Sequence, residues 1–545
     1  MTDVLDRAAA DAAGSGNGAA ATANPTPNST ANPTPNSTDS TLTQAGTQAE
    51  TQAGTQAGTQ ARTTNPTHDP APQGMSTRAK LVLFLLCAAN FMVAVDFSIL
   101  NIAVPSIGKD LGISEANLQW VSTAFALPSG GFLLLSGRIG DLAGRKKVFV
   151  TGTVLFTAAS LIAALAWVPA VLLGARALQG VGAAMIVPTG MALLTTSFAE
   201  GPQRERALGI NGTLMTVGFT FGMVLGGFLT QAFSWRSTMV LNTAMGALVL
   251  VGAPRLLTES RNAHSSKLDI PGAITVTTAL LALIYALSTA AQVGFGRADV
   301  VSGLVGGVVL LAAFVAIESR AADPLVSLRI LRRRSVAIGN LGGLVSFATM
   351  SSVVFLGTLF LQQVNGMSPT LTGLVFGVMG VVAALGGTVA PKAIGRFGAR
   401  ATLVGGLLAQ GALIAPLALI DQSNGTLLLL TVAAAAAFGH LGAVVAYGVT
   451  ATGGLSDAEQ GLATGLVTTS QQVGLTIGIP LFSALASARA DSLREAGHTA
   501  KDALTGGIRI GLGADGLVLL AVAVLVGLGL RTTRKARAGA ADARI

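Results

Sequence analysis

Charge is what this chain has least of. Asp, Glu, Lys and Arg make up 11% of its 545 residues, less than half the roughly 25% of a soluble domain. So few charges could not cover the surface of a soluble protein this long. Cysteine is reduced to Cys87, which excludes an intramolecular disulfide framework and a cysteine metal site. The 4 histidines show no metal-ligand spacing. Aromatic residues are 5% of the chain, too sparse to outline an aromatic cage for a cation. No segment matches GxxxxGK[ST], so the chain carries no nucleotide-driven motor of that kind. No nucleophile stands beside an organised base. An enzyme is therefore disfavoured, and neither cofactor nor metal is expected.

What is abundant is apolar. Hydrophobic residues are 51% of the chain and the mean hydropathy is +0.64. The exception is the beginning. ANPTPNST occurs twice in tandem, at residues 23–30 and 31–38, and a TQAG-like period follows up to Gln60. With so little to bury, residues 1–78 read as a disordered low-complexity tail. It has no apolar core of a signal peptide. Asn28-Ser29-Thr30 and Asn36-Ser37-Thr38 fit the glycosylation pattern, which a cytoplasmic tail would never use.

From Lys80 on, apolar segments of about twenty residues, each enough to span a bilayer as a helix, follow in close succession. They predict about fourteen spans, at 81–105, 118–137, 148–168, 170–195, 207–231, 236–256, 271–291, 300–317, 335–361, 371–391, 401–420, 425–450, 462–486 and 510–530. The fold class is all-α and polytopic. Basic residues then set the orientation. With the N-terminus inside, the inner side collects Arg78, Lys80, Arg138, Arg145, Lys146, Lys147, the group from Arg320 to Arg334 and the tail from Arg531 to Arg544. The outer side holds Lys109, Arg236, Arg297, Arg489, Arg494, Lys501 and Arg509. This asymmetry follows the positive-inside rule with both termini cytoplasmic. The net charge of +9 is thus membrane topology, and no nucleic-acid partner is expected.

The loop after the second predicted span reads Gly137-Arg-Ile-Gly-Asp141-Leu-Ala-Gly144-Arg145-Lys146-Lys147, and a degenerate copy, Pro391-Lys-Ala-Ile-Gly395-Arg396-Phe-Gly398-Ala-Arg400, follows the tenth. Its spacing resembles the signature loop of the major facilitator superfamily, and two copies imply two related halves. Three further stretches narrow the resemblance: Asp96-Phe-Ser-Ile-Leu-Asn101-Ile-Ala-Val-Pro105, Leu172-Leu-Gly-Ala-Arg176-Ala-Leu-Gln179-Gly180-Val-Gly182, and Gly218-Phe-Thr-Phe-Gly222-Met-Val-Leu-Gly226-Gly227. In this order they look like the fourteen-span drug:proton antiporter branch, the EmrB/QacA-type multidrug exporters. Met223 stands where that branch's antiporter motif usually has proline, which puts the expected bend of the fifth span in doubt.

The resemblance implies a major facilitator fold of two six-helix bundles, residues 79–257 and 334–531, with two inserted helices in 258–333 and a basic cytoplasmic tail in 532–545. It implies a monomeric plasma-membrane protein whose partners are protons, a small hydrophobic or amphipathic drug and the bilayer. An ionisable group deep in a bilayer is by default functional. Asp96 and Arg176 each lie roughly 10–12 Å below the outer surface at about 1.5 Å per residue. Asp96 is expected to couple protons, with Arg176 modulating or relaying; the alternative is a static ion pair. Gly137, Asp141, Gly144, Arg145 and Lys146 form an expected conformational latch, and Gly218, Gly222, Gly226 and Gly227 a close-packing face. Asn101, Gln179, Asn242, Asn340, Gln362, Gln363, His440, Gln471 and Gln472 are candidates to line a central cavity, although His440 reads first as a neutral, hydrogen-bonded core histidine. Asp515 is expected at outer headgroup level or in a vestibule.

The leading reading is proton-driven efflux, with antibiotic resistance or self-protection as its setting. Its rivals are a proton-coupled uptake symporter, separable by accumulation in inverted vesicles, and a non-transporting receptor or assembly subunit, separable by flux in liposomes. Met75 sits just before the first span, so a chain starting there should transport as well as the full chain. Loss of transport by that shortened chain, at equal membrane abundance, would refute the dispensable tail.

Overall fold

The helices begin where the apolar sequence does. Ser76 accepts a hydrogen bond from the Ala79 N–H at 3.2 Å, an N-cap that starts a helix of 35 residues, α1 (Thr77–Leu111). The computed structural model describes residues 75–114, 117–198, 201–261, 269–321, 328–455 and 457–530. The tail through residue 74 and the C-terminal segment from 531 lie outside the described residues. No strand occurs among the described residues.

After α1 come α2 (Gln119–Gly131), α3 (Leu133–Ala143), α4 (Arg145–Ala164), α5 (Pro169–Ser197), α6 (Pro202–Ala232) and α7 (Arg236–Leu256). Then follow α8 (Ile270–Val293), α9 (Ala298–Glu318) and the single turn α10 (Leu328–Leu331). The last group is α11 (Arg334–Leu359), α12 (Pro369–Phe397), α13 (Ala399–Ile414), α14 (Gly425–Leu428), α15 (Ala434–Thr452), α16 (Asp457–Glu495) and α17 (Ala500–Gly529). Phe360–Val364 extends α11 as a π-turn, and Leu429–Ala433 joins α14 to α15 in the same way. Among the described residues, thirteen helices are long and apolar enough to cross a membrane, fourteen when α2 and α3 count as one span bent by 46°. The bend follows Pro128 and the Gly130-Gly131 pair, residues that kink helices.

The largest boundary differences from expectation fall around the last connection. The last span, predicted from residue 510, starts at Ala500, where Thr499 accepts from the Asp502 N–H at 3.1 Å. Arg489, Arg494, Lys501 and Arg509 therefore sit on helices that run past the apolar stretch, not in an open loop. In α6 the helix is unbroken at Met223, as expected without proline.

α1 packs on α6 and α7, α4 on α5 and α7, and α2 on α5; α11 packs on α16, α15 and α17, with α13 against α15 and α17. Both groups use the same device of a glycine meeting a carbonyl on the partner helix. A Cβ on Gly226 would stand 2.7 Å from Ile99 O and one on Gly222 2.9 Å from Val95 O, while Gly474 and Gly478 press on the Leu344 and Ala348 carbonyls of α11. Such approach gives dispersion contact and lets backbones touch where lipid offers no hydrophobic drive.

The loop copies also behave alike. Gly144 and Gly398 both have positive φ (119° and 84°), which glycine adopts without strain. Two residues further on, Lys146 Nζ donates to Pro254 O at 2.8 Å and Arg400 Nη2 to Gly527 O at 2.9 Å. Each basic side chain thus closes onto the carbonyl end of the last helix of its own group, α7 or α17, where a cation is favoured.

The two groups meet through α6–α12 and α2–α16, and α8 and α9, packed on each other, lie beside the seam, with α8 against α2 and α16. Near the α1–α2 connection, Gln362 Nε2 donates to Ile102 O at 2.9 Å, Thr370 N to Gln231 Oε1 at 3.2 Å and Thr370 Oγ1 to Gly227 O at 3.2 Å. Thr476 Oγ1 donates to Ala126 O at 3.1 Å farther along.

Gly222→Leu should push α6 off α1 and cost about 1–3 kcal/mol of stability, the usual penalty of overpacking. Gly209→Ala, where an added Cβ meets nothing within 4 Å, is the control. Thermal unfolding of the purified protein should drop clearly for the first and not for the second; equal melting would contradict the packing account.

Candidate functional site

Gly180 on α5 fixes the approach of α2. A Cβ there would collide with Phe125 O, so only a bare backbone lets the two helices come this close. One turn away on both helices, the same approach brings Arg176 to Val121, and Arg176 Nε donates to the Val121 carbonyl at 3.3 Å. The guanidinium is otherwise turned to Asp96 of α1. Its Nη1 lies 2.7 Å from Asp96 Oδ2 and 2.9 Å from Oδ1.

This pair is sealed from solvent, with Asp96 0% and Arg176 1% exposed. Burying two charges costs several kcal/mol per ion unless the geometry and further hydrogen bonds compensate. They do here. Asn242 of α7 donates to Asp96 Oδ1 at 2.6 Å, and Gln179 Oε1 accepts from Arg176 Nη1 at 3.0 Å. Gln179 Nε2 in turn donates to Ser160 Oγ of α4 at 2.7 Å. The face of the guanidinium lies 4.4 Å from the centre of the Phe125 ring, a cation–π contact. Five helices, α1, α2, α4, α5 and α7, therefore hold one carboxylate and one cation in place. Such a centre can store a proton if the cation withdraws, because an unpaired carboxylate in this setting is costly.

Phe125 also borders a cavity of about 300 Å³ between the two helix groups, the lower end of drug-sized pockets. Its wall carries four phenylalanines, Phe97, Phe125, Phe219 and Phe347, and four methionines, Met215, Met223, Met350 and Met379. Phe97 stacks on Phe219 at 6.3 Å and meets Phe125 at 6.5 Å. Polar groups are few: Ser129, Thr220, Ser351, His440, Gln471, Gln472 and Thr476. No Asp, Glu, Lys or Arg is among the lining residues. His440 is held by Ser346, whose Oγ is 2.8 Å from its Nδ1, and Phe347 meets its ring edge-on at 5.0 Å. Ser346 Oγ also donates to Gln410 Oε1 at 2.6 Å.

The residues singled out in the sequence thus fall into separate places. His440, Gln471 and Gln472 line the cavity. Gln179 and Asn242 do not; they buttress the charge pair. Asn101 donates to Phe97 O at 2.9 Å and accepts from Ser122 at 3.3 Å. Asn340 donates to Val336 O of its own helix at 2.8 Å. Gln362 links the helix groups, and Gln363 lines a smaller cleft near residues 483–508. Short polar side chains in helices bond their own backbone, which is why spacing alone put them in the cavity. Asp515, expected near the surface, is instead fully buried midway along α17.

Gly218, Gly222 and Gly226 face α1, and Gly227 faces Pro369 of α12. Asp141 pairs with Arg145 at 2.9 Å. The Arg145 N–H donates to Ser260 O and Lys146 N–H to Glu259 Oε1, each at 3.0 Å. An added Cβ on Gly144 would strike the Glu259 carboxylate at 2.7 Å, and Gly137 lies against Pro188. Gly144, Arg145 and Lys146 of the expected latch thus contact the end of α7 and the segment just after it. Sequence reasoning missed the aromatic and methionine wall, Ser160 and the buried Asn90–Asn211 hydrogen bond of 2.9 Å. Phe97, next to Asp96, and Met223 in the glycine motif were the available signals.

Comparison with known proteins agrees with this geometry. The profile of the Major Facilitator Superfamily matches residues 86–479 and 339–544. The chain is 38% identical over 419 residues to the cephamycin export protein CmcT of Amycolatopsis lactamdurans, covering 74% of this chain and 84% of that one. It is 35% identical over 428 residues to the puromycin resistance protein pur8 of Streptomyces alboniger, covering 77% and 84%. In fold it is similar to a bacterial homologue of the human lysosomal transporter Spinster, solved inward-facing and unoccupied, with a TM-score of 0.59 at 18% identity over 85% of this chain and 99% of that one. With that profile, those relatives and an all-helical body of up to fourteen spans around a central cavity, the chain belongs to the Major Facilitator Superfamily.

Proposed function

We propose that this chain is a proton-driven exporter of small hydrophobic or amphipathic drugs or antibiotics, working by alternating access in the cell membrane. Its moving parts are the bundles of residues 79–257 and 334–531, with 258–333 supplying the inserted pair. Both termini are cytoplasmic, and a monomer suffices. The Gly144 and Gly398 turns then face the cytoplasm, and the hydrogen bonds of Gln362 and Thr370 close the outer side. The loop of Gly137, Asp141, Gly144, Arg145 and Lys146 is the latch, holding the end of α7 through Pro254 and Glu259.

The observation that carries this reading is Phe125, a single ring that lines the cavity and also lies 4.4 Å from the Arg176 guanidinium. A guest pressed against Phe125 keeps Arg176 on Asp96, and the carboxylate stays ionised. When the guest leaves, the ring relaxes, Arg176 is free to withdraw, and Asp96 takes a proton. Guest and proton then exclude one another, which is the logic of antiport. The uncharged wall of the cavity favours guests that are neutral or weakly charged. Its methionines adapt to irregular shapes, while Gln471, Gln472 and His440 offer a few hydrogen bonds. The outward direction is supported by the export and resistance functions named for the two relatives.

A susceptibility panel with and without expression tests the function, and drug accumulation in inverted vesicles under a pH gradient tests its driving force. Asp96→Asn, at normal membrane abundance, should lose gradient-driven accumulation entirely; accumulation still coupled to the gradient would reject the proton role. Phe125→Ala should raise KM for the drug and let protons leak without it. An unchanged ratio of protons to drug in that variant would dismiss the shared-ring mechanism.

A further inference from the structure

α17 carries a second buried carboxyl for which the mechanism above has no use. Asp515 is fully buried, and neither of its oxygens has a hydrogen-bond partner. Its polar neighbour is the hydroxyl of Ser352 on α11, which is equally buried. Charged groups on the helices around it are directed elsewhere. Arg509 donates to Ile420 O, Arg400 to Gly527 O, and Arg494 pairs with Asp491 at 2.9 Å. Arg334 starts α11 at its far end, and Arg489, Glu495, Lys501 and Asp502 are exposed at the opposite end of α16 and α17. The π-turn Phe360–Val364 and the segment Ala415–Leu419, which also touch α17, contain no titratable residue.

A cleft of about 50 Å³ lies by the α16–α17 connection, lined on α17 by Leu504 and by Ile508, two turns before Asp515. At about 10–15 Å³ each it has room for a few waters. Asp491 and Arg494 stand among its lining residues, and deeper in are Gln119, Gln363 and Ser483. Gln119 Oε1, Gln363 Oε1 and Ser483 Oγ are buried without a protein partner, the situation that ordered water resolves. Ile508 of α17 and Leu356 of α11 line the cleft. Ile508, Gly511, Leu512 and Asp515 share one face of α17, and Ser352, Phe355 and Leu356 one face of α11. At Gly511 an added Cβ would lie 2.8 Å from Leu356 and 3.2 Å from Phe482 O. Asp515 is thus one helical turn, about 6 Å, beyond the constriction made by Gly511 and Leu356. Behind it the backbones of Gly411 and Ala415 close against Gly516.

We propose that Asp515 is a second proton-binding site, distinct from the Asp96 pair and supplied by the water-holding cleft between α11, α16 and α17. With no cation paired to it among the described residues, an ionised carboxylate is disfavoured by burial here, and the site is suited to carry a proton. A cleft water bearing the proton delivers it to the carboxylate oxygen, and release returns the proton to the cleft water when Leu356 parts from Gly511. Separation of the two helix groups, the motion proposed above, would reposition α11 and change that access. The site's role in transport rests on that reading; its existence does not.

Infrared difference spectroscopy of the purified full chain in lipid nanodiscs, titrated in bulk pH, tests the proposal. The wild type should show a protonated carboxylic-acid band that is lost reversibly as pH rises. That band should be lost altogether in Asp515→Asn, remain in Asp96→Asn and reappear, shifted, in Asp515→Glu. The double variant Gln363→Leu with Ser483→Ala should keep the band but slow its hydrogen–deuterium exchange. A band that survives Asp515→Asn, that is absent from the wild type, or that ignores bulk pH would overturn the proposal. Drug-driven proton flux in proteoliposomes is measured alongside: its absence in the wild type would defeat the exporter reading and leave the infrared assignment of Asp515 standing.

Discussion

A carboxylate and a guanidinium, 2.7 Å apart and shut away from water, set the terms for the N-terminal helix group. In such surroundings neither charge is tolerable without the other. The sequence around them is arranged to keep them together. Gly180 admits the α2 backbone that takes the Arg176 Nε–H, and Gln179, one turn along α5, braces the guanidinium against Ser160. Asn242 reaches in from α7. Moving any one of these helices alone leaves a polar atom unsatisfied, so α1, α2, α4, α5 and α7 are bound to shift as a body.

The cavity is built on the opposite principle. Its wall is soft: phenylalanine rings and methionine side chains supply most of its contact, and polar groups are sparse. In the proposed exporter, affinity there comes from apolar area and shape, which many compounds share, and Phe125 joins that wall to the buried charge pair.

The large features were legible in the sequence because each rests on a one-dimensional signal. Spans follow from runs of apolar residues, and Asp96 and Arg176, here a buried pair, stand out as charge where charge is costly. The paired loops follow from repeated glycine and basic positions, and Lys146 and Arg400 are equivalent down to the carbonyls they bind. What failed to show was direction within a helix. Asn340, Asn101 and Gln179 look alike on a span, yet one bonds its own helix, one ties into the α2 contact and one braces an ion pair. Asp515 was misjudged because the span was begun near residue 510. The added turns from Ala500, capped by Thr499, carry the carboxyl down to mid-helix.

The seam between the two helix groups has a further consequence. α6 and α12 meet through backbone and small atoms: Gly227 on Pro369, Gly373 on the Met223 carbonyl, Gly380 on Thr220. Interfaces built from long interdigitated side chains move in notches, since each knob must leave one hole before entering another. Two smooth backbones have no notches. They can roll across one another in small increments while staying in contact, so the seam is built to serve the proposed alternating access as a hinge and a seal at once.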